Sequence, residues 1–168
     1  GLQYHRKGPF AFNQAIYPRD PAGRRAFWKR VQRALHDQTP VITSWFVDFN
    51  ALTRDAHFSK AELDRRGPGQ QGGHMTVMHD YQAEVPGLGL LEAGKVATPE
   101  DMERALSDET VIQFVRVKNS WGGIRPDQWD DVVALPGYQD LEMAYLDGPI
   151  KECAVDQYGR TVPDYCPR

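Results

Sequence analysis

Cysteine is nearly missing from this chain: of 168 residues only Cys153 and Cys166 carry a thiol. Chemistry that needs sulfur earlier in the chain must therefore draw it from elsewhere. No apolar run approaches the roughly 20 residues that span a bilayer, so no membrane helix is expected. Charge of one sign does not dominate either. Twenty Lys and Arg against 23 Asp and Glu leave a formal net charge of -3, which gives no general attraction to nucleic acid or to an anionic membrane; neither is expected as a partner. The opening residues, Gly1-Leu2-Gln3-Tyr4-His5-Arg6-Lys7, hold no initiator Met and no signal-peptide core, and read as a start made by cleavage. What is present, 40% hydrophobic residues, is enough for one core, and residues 1–168 are expected to form a single domain.

The two cysteines lie near the C-terminus with Gly159 and Pro163 between them. That spacing suits a local disulfide closing a loop in the 147–168 tail, worth about 3 kcal/mol if unstrained. A disulfide points to an oxidising compartment, secreted or periplasmic. Two unpaired thiols in a reducing compartment are the alternative.

Asp20-Pro21 supplies a helix N-cap and a proline at the first helical position. Phe27, Val31 and Leu35 recur every four residues, joined by Trp28 and Ala34, while the arginines occupy mostly other faces. The spacing predicts an amphipathic helix ending near His36. Val41 to Val47 is β-branched and aromatic and reads as a largely buried strand. Ser59-x-x-Glu62 is a weak capping box for a short helix that Gly67-Pro68-Gly69 stops. Gln70 to Gly73 is a polar approach to His74, and Met75 to Tyr81 a second strand. Thr98-Pro99-Glu100-Asp101 caps a helix through about Leu106. Val111 to Val117 and Leu141 to Leu146 complete four strands. One helix, then strands with helices interposed, predicts an α+β domain on an antiparallel sheet.

Two places could carry chemistry. His74 follows two glycines, which let other groups approach closely, and sits at the mouth of a strand where a general base could work. Val117-Lys118-Asn119-Ser120-Trp121-Gly122-Gly123 runs a strand into an amide, an indole and two glycines. An amide beside a tryptophan can orient and shield an imidazole. A surface histidine and an ordinary turn are the plainer accounts of the same residues.

Together these segments resemble a known family. Gly72-Gly73-His74-Met75-Thr76-Val77-Met78-His79-Asp80-Tyr81, followed by Phe114-Val115-Arg116-Val117-Lys118-Asn119-Ser120-Trp121-Gly122, is similar to the histidine and asparagine segments of papain-like cysteine peptidases. Pro40 to Val47 resembles the strand before the family's histidine, and Gly137 to Ala144 the glycine-tyrosine strand after its asparagine. The likeness spans roughly residues 22 to 146. It implies a papain-like fold, of which this chain is the β-rich right half: an antiparallel sheet or barrel with flanking helices. It also implies roles. His74 would pair with a cysteine thiolate and protonate the departing amine, Asn119 would hold the imidazole, and Trp121 would cover their hydrogen bond from water. The substrate would be a peptide or protein, and no cofactor is implied.

The sequence departs from the family where the nucleophile belongs. No cysteine precedes His74, and neither Gln3 nor Gln14 has the context of the oxyanion-binding glutamine. The resemblance therefore implies a second polypeptide, cut from the same precursor, that carries the catalytic Cys and the oxyanion Gln. Three alternatives stand beside it: a catalytically inactive binding module, an acyl transferase using the same His and Asn, and a permuted site drawing on Cys153 or Cys166. A further departure is residues 82–110, read as an insertion of a loop and a helix that would cover or shape the cleft.

Other constellations offer less. His74 and His79 are five apart on a strand and point to opposite faces, and His57 with Asp55 lacks the spacing of a zinc helix, so no metal is expected. Gly87-Leu88-Gly89 lacks the rest of a phosphate-binding loop and reads as a bend. Asp127, Asp130 and Asp131 lack the alternating spacing of a calcium loop.

Overall fold

A computed structural model describes Pro18, residues 20–119 and residues 137–147. Trp121, Cys153, Cys166 and the acidic group at 127–131 lie outside the described residues. The chain enters helix α1, Pro21–His36, through the Asp20 cap, whose carboxylate accepts from Gly23 N at 2.7 Å. Proline at the first position loses no bond there, because that N–H has no partner inside a helix. Trp28 and Val31 are buried from this helix, with Phe27 and Leu35 packed at the margin of the core.

The sheet is built from strands β1 (Val41–Asp48), β2 (His57–Phe58), β3 (Gln71–Val85), β4 (Gly89–Leu91), β5 (Val111–Lys118) and β6 (Tyr138–Glu142). Its order is β1-β3-β5-β6-β2, with β4 beside the far end of β3. Every pairing is antiparallel except β2 with β6, which is parallel. The result is an α+β domain on a mostly antiparallel sheet. Two-residue β2 could not be seen in the sequence, because it exists only through its pairing with β6.

β3 is longer than its hydrophobic alternation suggests. It begins at Gln71, so the glycine-rich approach to His74 is itself strand, and it continues through Gln82 to Val85. A bulge explains the broken pattern. Met78 pairs with Val117 and Asp80 with Arg116, which leaves His79 as an extra residue. Before it the even positions Thr76 and Met78 are buried; after it the odd positions Tyr81, Ala83 and Val85 are. One inserted residue exchanges the faces of a strand, so both halves keep an apolar side on the core.

Three further expectations need correction. β1 is an edge strand with one open face: Ile42 is 69% exposed while Trp45 and Val47 are buried. Residues 141–146 are not one strand. β6 ends at Glu142 and Met143–Leu146 forms a helical turn, α4, which swings Tyr145 inward so that its hydroxyl donates to Phe46 O at 2.7 Å and accepts from Asp48 N at 2.9 Å. The short helix α2, Lys60–Arg66, starts at Ser59 without a side-chain cap; the Ser59 N–H donates to Ala51 O, and the Glu62 carboxylate pairs with Arg65 and Arg66 and does not close a capping box. Gly67 ends it at φ 73°, a backbone conformation that favours glycine.

Residues 82–110 finish β3, turn at Gly87 into β4 and form helix α3, Pro99–Arg104, whose Thr98 and Asp101 make a full capping box. They leave the sheet at the end of β3 remote from His74, which lies roughly 35 Å back from Val85 at about 3.3 Å per residue. Instead of covering that end, this segment docks on α1. Buried Gln32 donates to Ala105 O at 3.0 Å, and Arg25 donates to Ser107 O and to Gln32 Oε1. His36 Nε2 lies 2.7 Å from the Tyr81 hydroxyl. Burial lowers the His36 pKa against weaker opposing pulls from Glu103 and Asp37, and burial raises that of Tyr81 to about 12.

A pH dependence follows from His36. Its folded pKa lies below the ordinary 6.5, so the unfolded chain binds the proton more tightly and stability falls as pH drops through about 6.5. Above that window the contribution is fully present. His36→Gln should flatten the difference in melting temperature between pH 7.5 and pH 5.5 relative to the unsubstituted chain. Equal slopes for the two proteins would contradict this assignment.

Candidate active site

His74 and Asn119 come from neighbouring antiparallel strands. Val77 on β3 faces Lys118 on β5, so Asn119, one residue past β5, arrives beside the part of β3 that carries His74. The His74 Nε2 lies 2.9 Å from Asn119 Oδ1. A carbonyl oxygen only accepts, so this bond requires a proton on Nε2. Asn119 is 5% exposed, and its own backbone N–H donates to Gly137 O at 2.8 Å, which ties it to the start of β6.

The amide is held at its other end as well. Asn119 Nδ2 donates to Gln139 Oε1 at 2.7 Å, and Gln139 is buried beside Val117. On the other flank, Trp45 is the direct cross-strand partner of His74, their ring centroids 5.8 Å apart and edge to face. The indole is itself fixed: Nε1 donates to Thr76 Oγ1 at 3.0 Å, and Phe58 and Tyr145 pack against its ring. An imidazole in this setting is oriented by hydrogen bond and by packing, and a partly desolvated bond is stronger than one in water.

Trp45, Thr76 and Gln139 are the functional candidates that sequence reasoning missed. Alternation in Val41 to Asp48 puts Trp45 on the inward face, but its neighbour is set by the β1–β3 register. Gln139 looks like an ordinary polar residue in a strand. Only its pairing with Val117 turns it toward Asn119.

His57 does not join this site. Its Nε2 lies 3.3 Å from Asp140 Oδ2, and Asp140 takes a bidentate pair from Arg116 at 2.7 and 2.8 Å. The Asp140 hydrogen bond raises the Arg116 pKa above its ordinary value, in spite of desolvation. Asp140 and Gln139 are adjacent on β6 and so face opposite sides of the sheet, which separates this ion pair from the imidazole at 74. His79 is exposed on the bulge. Among the described residues no three histidine, cysteine or acidic side chains gather as metal ligands, and no helix is long and apolar enough to cross a membrane.

No family model, curated protein or solved structure matches this chain. The functional reading therefore rests on the site itself.

Proposed function

We propose that this chain is the histidine-bearing half of a papain-like thiol peptidase, with the nucleophilic Cys and an oxyanion-binding Gln supplied by a second polypeptide cut from the same precursor. The observation that carries this reading is the 2.9 Å contact between His74 Nε2 and the buried Asn119 carboxamide. It gives the imidazole the Nε2–H form, which makes Nδ1 the basic nitrogen, and in the proposed assembly that nitrogen would meet the thiol.

The chemistry then runs as follows. Nδ1 takes the thiol proton, and the resulting thiolate, stabilised by the imidazolium, attacks the scissile carbonyl. As the tetrahedral adduct collapses, His74 returns the proton to the amine, which departs and leaves a thioester. Water, deprotonated by the same nitrogen, hydrolyses the thioester and restores the thiol. Asn119 keeps the ring in plane throughout. An amine replacing water in the last step would make the same machinery an acyl transferase. A secreted or periplasmic setting accompanies this reading, in keeping with a Cys153–Cys166 disulfide.

The test is labelling of native material with a cysteine-directed epoxide. The expected outcome is one labelled polypeptide distinct from this chain, with label lost when His74 is replaced by alanine. Labelling at Cys153 would favour the permuted site. Absence of label on any chain, together with unchanged partner binding by His74→Ala, would make the protein a non-catalytic binding module.

A further inference from the structure

We infer that Gln139 is a positioning residue, whose side-chain carbonyl, by holding the Asn119 amide N–H, fixes which nitrogen of His74 carries the proton. The inference deepens the proposed reaction and takes its catalytic meaning from it. Its geometric basis is separate.

An asparagine side chain presents two ends of nearly equal shape and opposite hydrogen-bonding character. Turned one way, Asn119 offers oxygen to the imidazole and demands Nε2–H; turned the other, it offers N–H and demands a bare Nε2. The second arrangement would put the ring proton on Nδ1, the nitrogen that must accept from the thiol, and the base would be blocked. Packing alone distinguishes poorly between the two orientations. A hydrogen-bond acceptor on the far side of the amide does distinguish them, and Gln139 Oε1 occupies that position at 2.7 Å. With Gln139 held as it stands, reversal of the amide would bring its oxygen against the Gln139 oxygen and leave two buried acceptors without a donor between them, at the cost of unsatisfied polar groups. Both residues are at most 9% exposed, so water does not readily replace the bond.

The path is short and continuous: β6 holds Gln139, Gln139 holds the amide of Asn119, and Asn119 holds the ring proton at Nε2. Gly137 O, one residue before that strand, adds a second tie to the Asn119 backbone. The start of β6 thereby fixes both the place of the amide and its sense.

The test uses the 168-residue chain with nitrogen-labelled histidine, reading by magnetic resonance the exchange of the His74 Nε2 proton with water at a pH where the ring is neutral. Gln139→Leu should speed that exchange about tenfold, the scale of one lost hydrogen bond. Gln139→Glu, which can only accept, should restore slow exchange. In an Asn119→Ala background, Gln139→Leu should add nothing, because the effect passes through the amide. Backbone amide spectra check folding, and Gln139→Met replaces the leucine variant if that one unfolds. Exchange unchanged by loss of the carbonyl, no rescue by glutamate, or a full further effect without Asn119 would each reduce Gln139 to a packing residue. Failure of thiol labelling would remove the proposed peptidase and leave this relay standing. Failure of the relay would leave the thiol chemistry untouched.

Discussion

His74→Ala should lower peptide cleavage by the proposed two-chain assembly by roughly 10³- to 10⁴-fold, the scale on which a general base acts in nucleophilic catalysis. The loss should fall on kcat, because in the proposed reaction the imidazole would act on the reacting atoms and take no part in binding the peptide. Asn119→Ala should cost less, about 10²-fold, since it leaves the base in place and removes only its orientation. The order of the two effects matters. In the structure Asn119 is a partner of His74 at 2.9 Å and is itself held by Gln139, so Asn119→Ala in a His74→Ala background should add little. Rates that multiply in the double variant would mean that the two residues do not act as a unit.

The second large effect is on stability. Asp48 is 2% exposed at the end of β1, and its carboxylate accepts from Asn50 N at 2.9 Å, from Gly69 N at 3.1 Å and from Gln71 Nε2 at 2.7 Å. It closes the loop that leads from α2 into β3. Asp48→Ala strands these donors, of which those of Gly69 and Gln71 open the strand carrying His74. The expected cost is about 3 kcal/mol, after allowing for the desolvation that a buried carboxylate no longer suffers. In a domain of this size that corresponds to a melting temperature lowered by roughly 6 to 12 °C. Asp48→Asn, which keeps one acceptor oxygen, should lose about half as much. A melting temperature unchanged by Asp48→Ala would show that water satisfies the loop equally well.

Residues with strong local signals were read well. The Asp20-Pro21 entry and the four-residue apolar spacing place α1 at Pro21–His36, and Thr98 with Asp101 places α3. The pairing of His74 with Asn119 is implied only by the resemblance of their two segments to papain-like peptidases, and the structure holds Nε2 2.9 Å from Oδ1. What could not be read depends on register. The bulge at His79 conceals the true length of β3, since alternation appears to fail where the faces exchange. Tyr145 breaks a strand-like apolar run because its hydroxyl finds partners on Phe46 and Asp48, nearly a hundred residues earlier. Gln32, an unremarked polar residue of α1, is 1% exposed, because Ala105 O and Arg25 satisfy it inside. Local spacing has no access to such partners.

The decisive quantity is the distance from His74 Nδ1 to the nearest cysteine Sγ in a structure of the native assembly. The account predicts a sulfur from another polypeptide about 3 to 4 Å away, on the side of the ring opposite Asn119. An assembly with no thiol within reach of that nitrogen would contradict it.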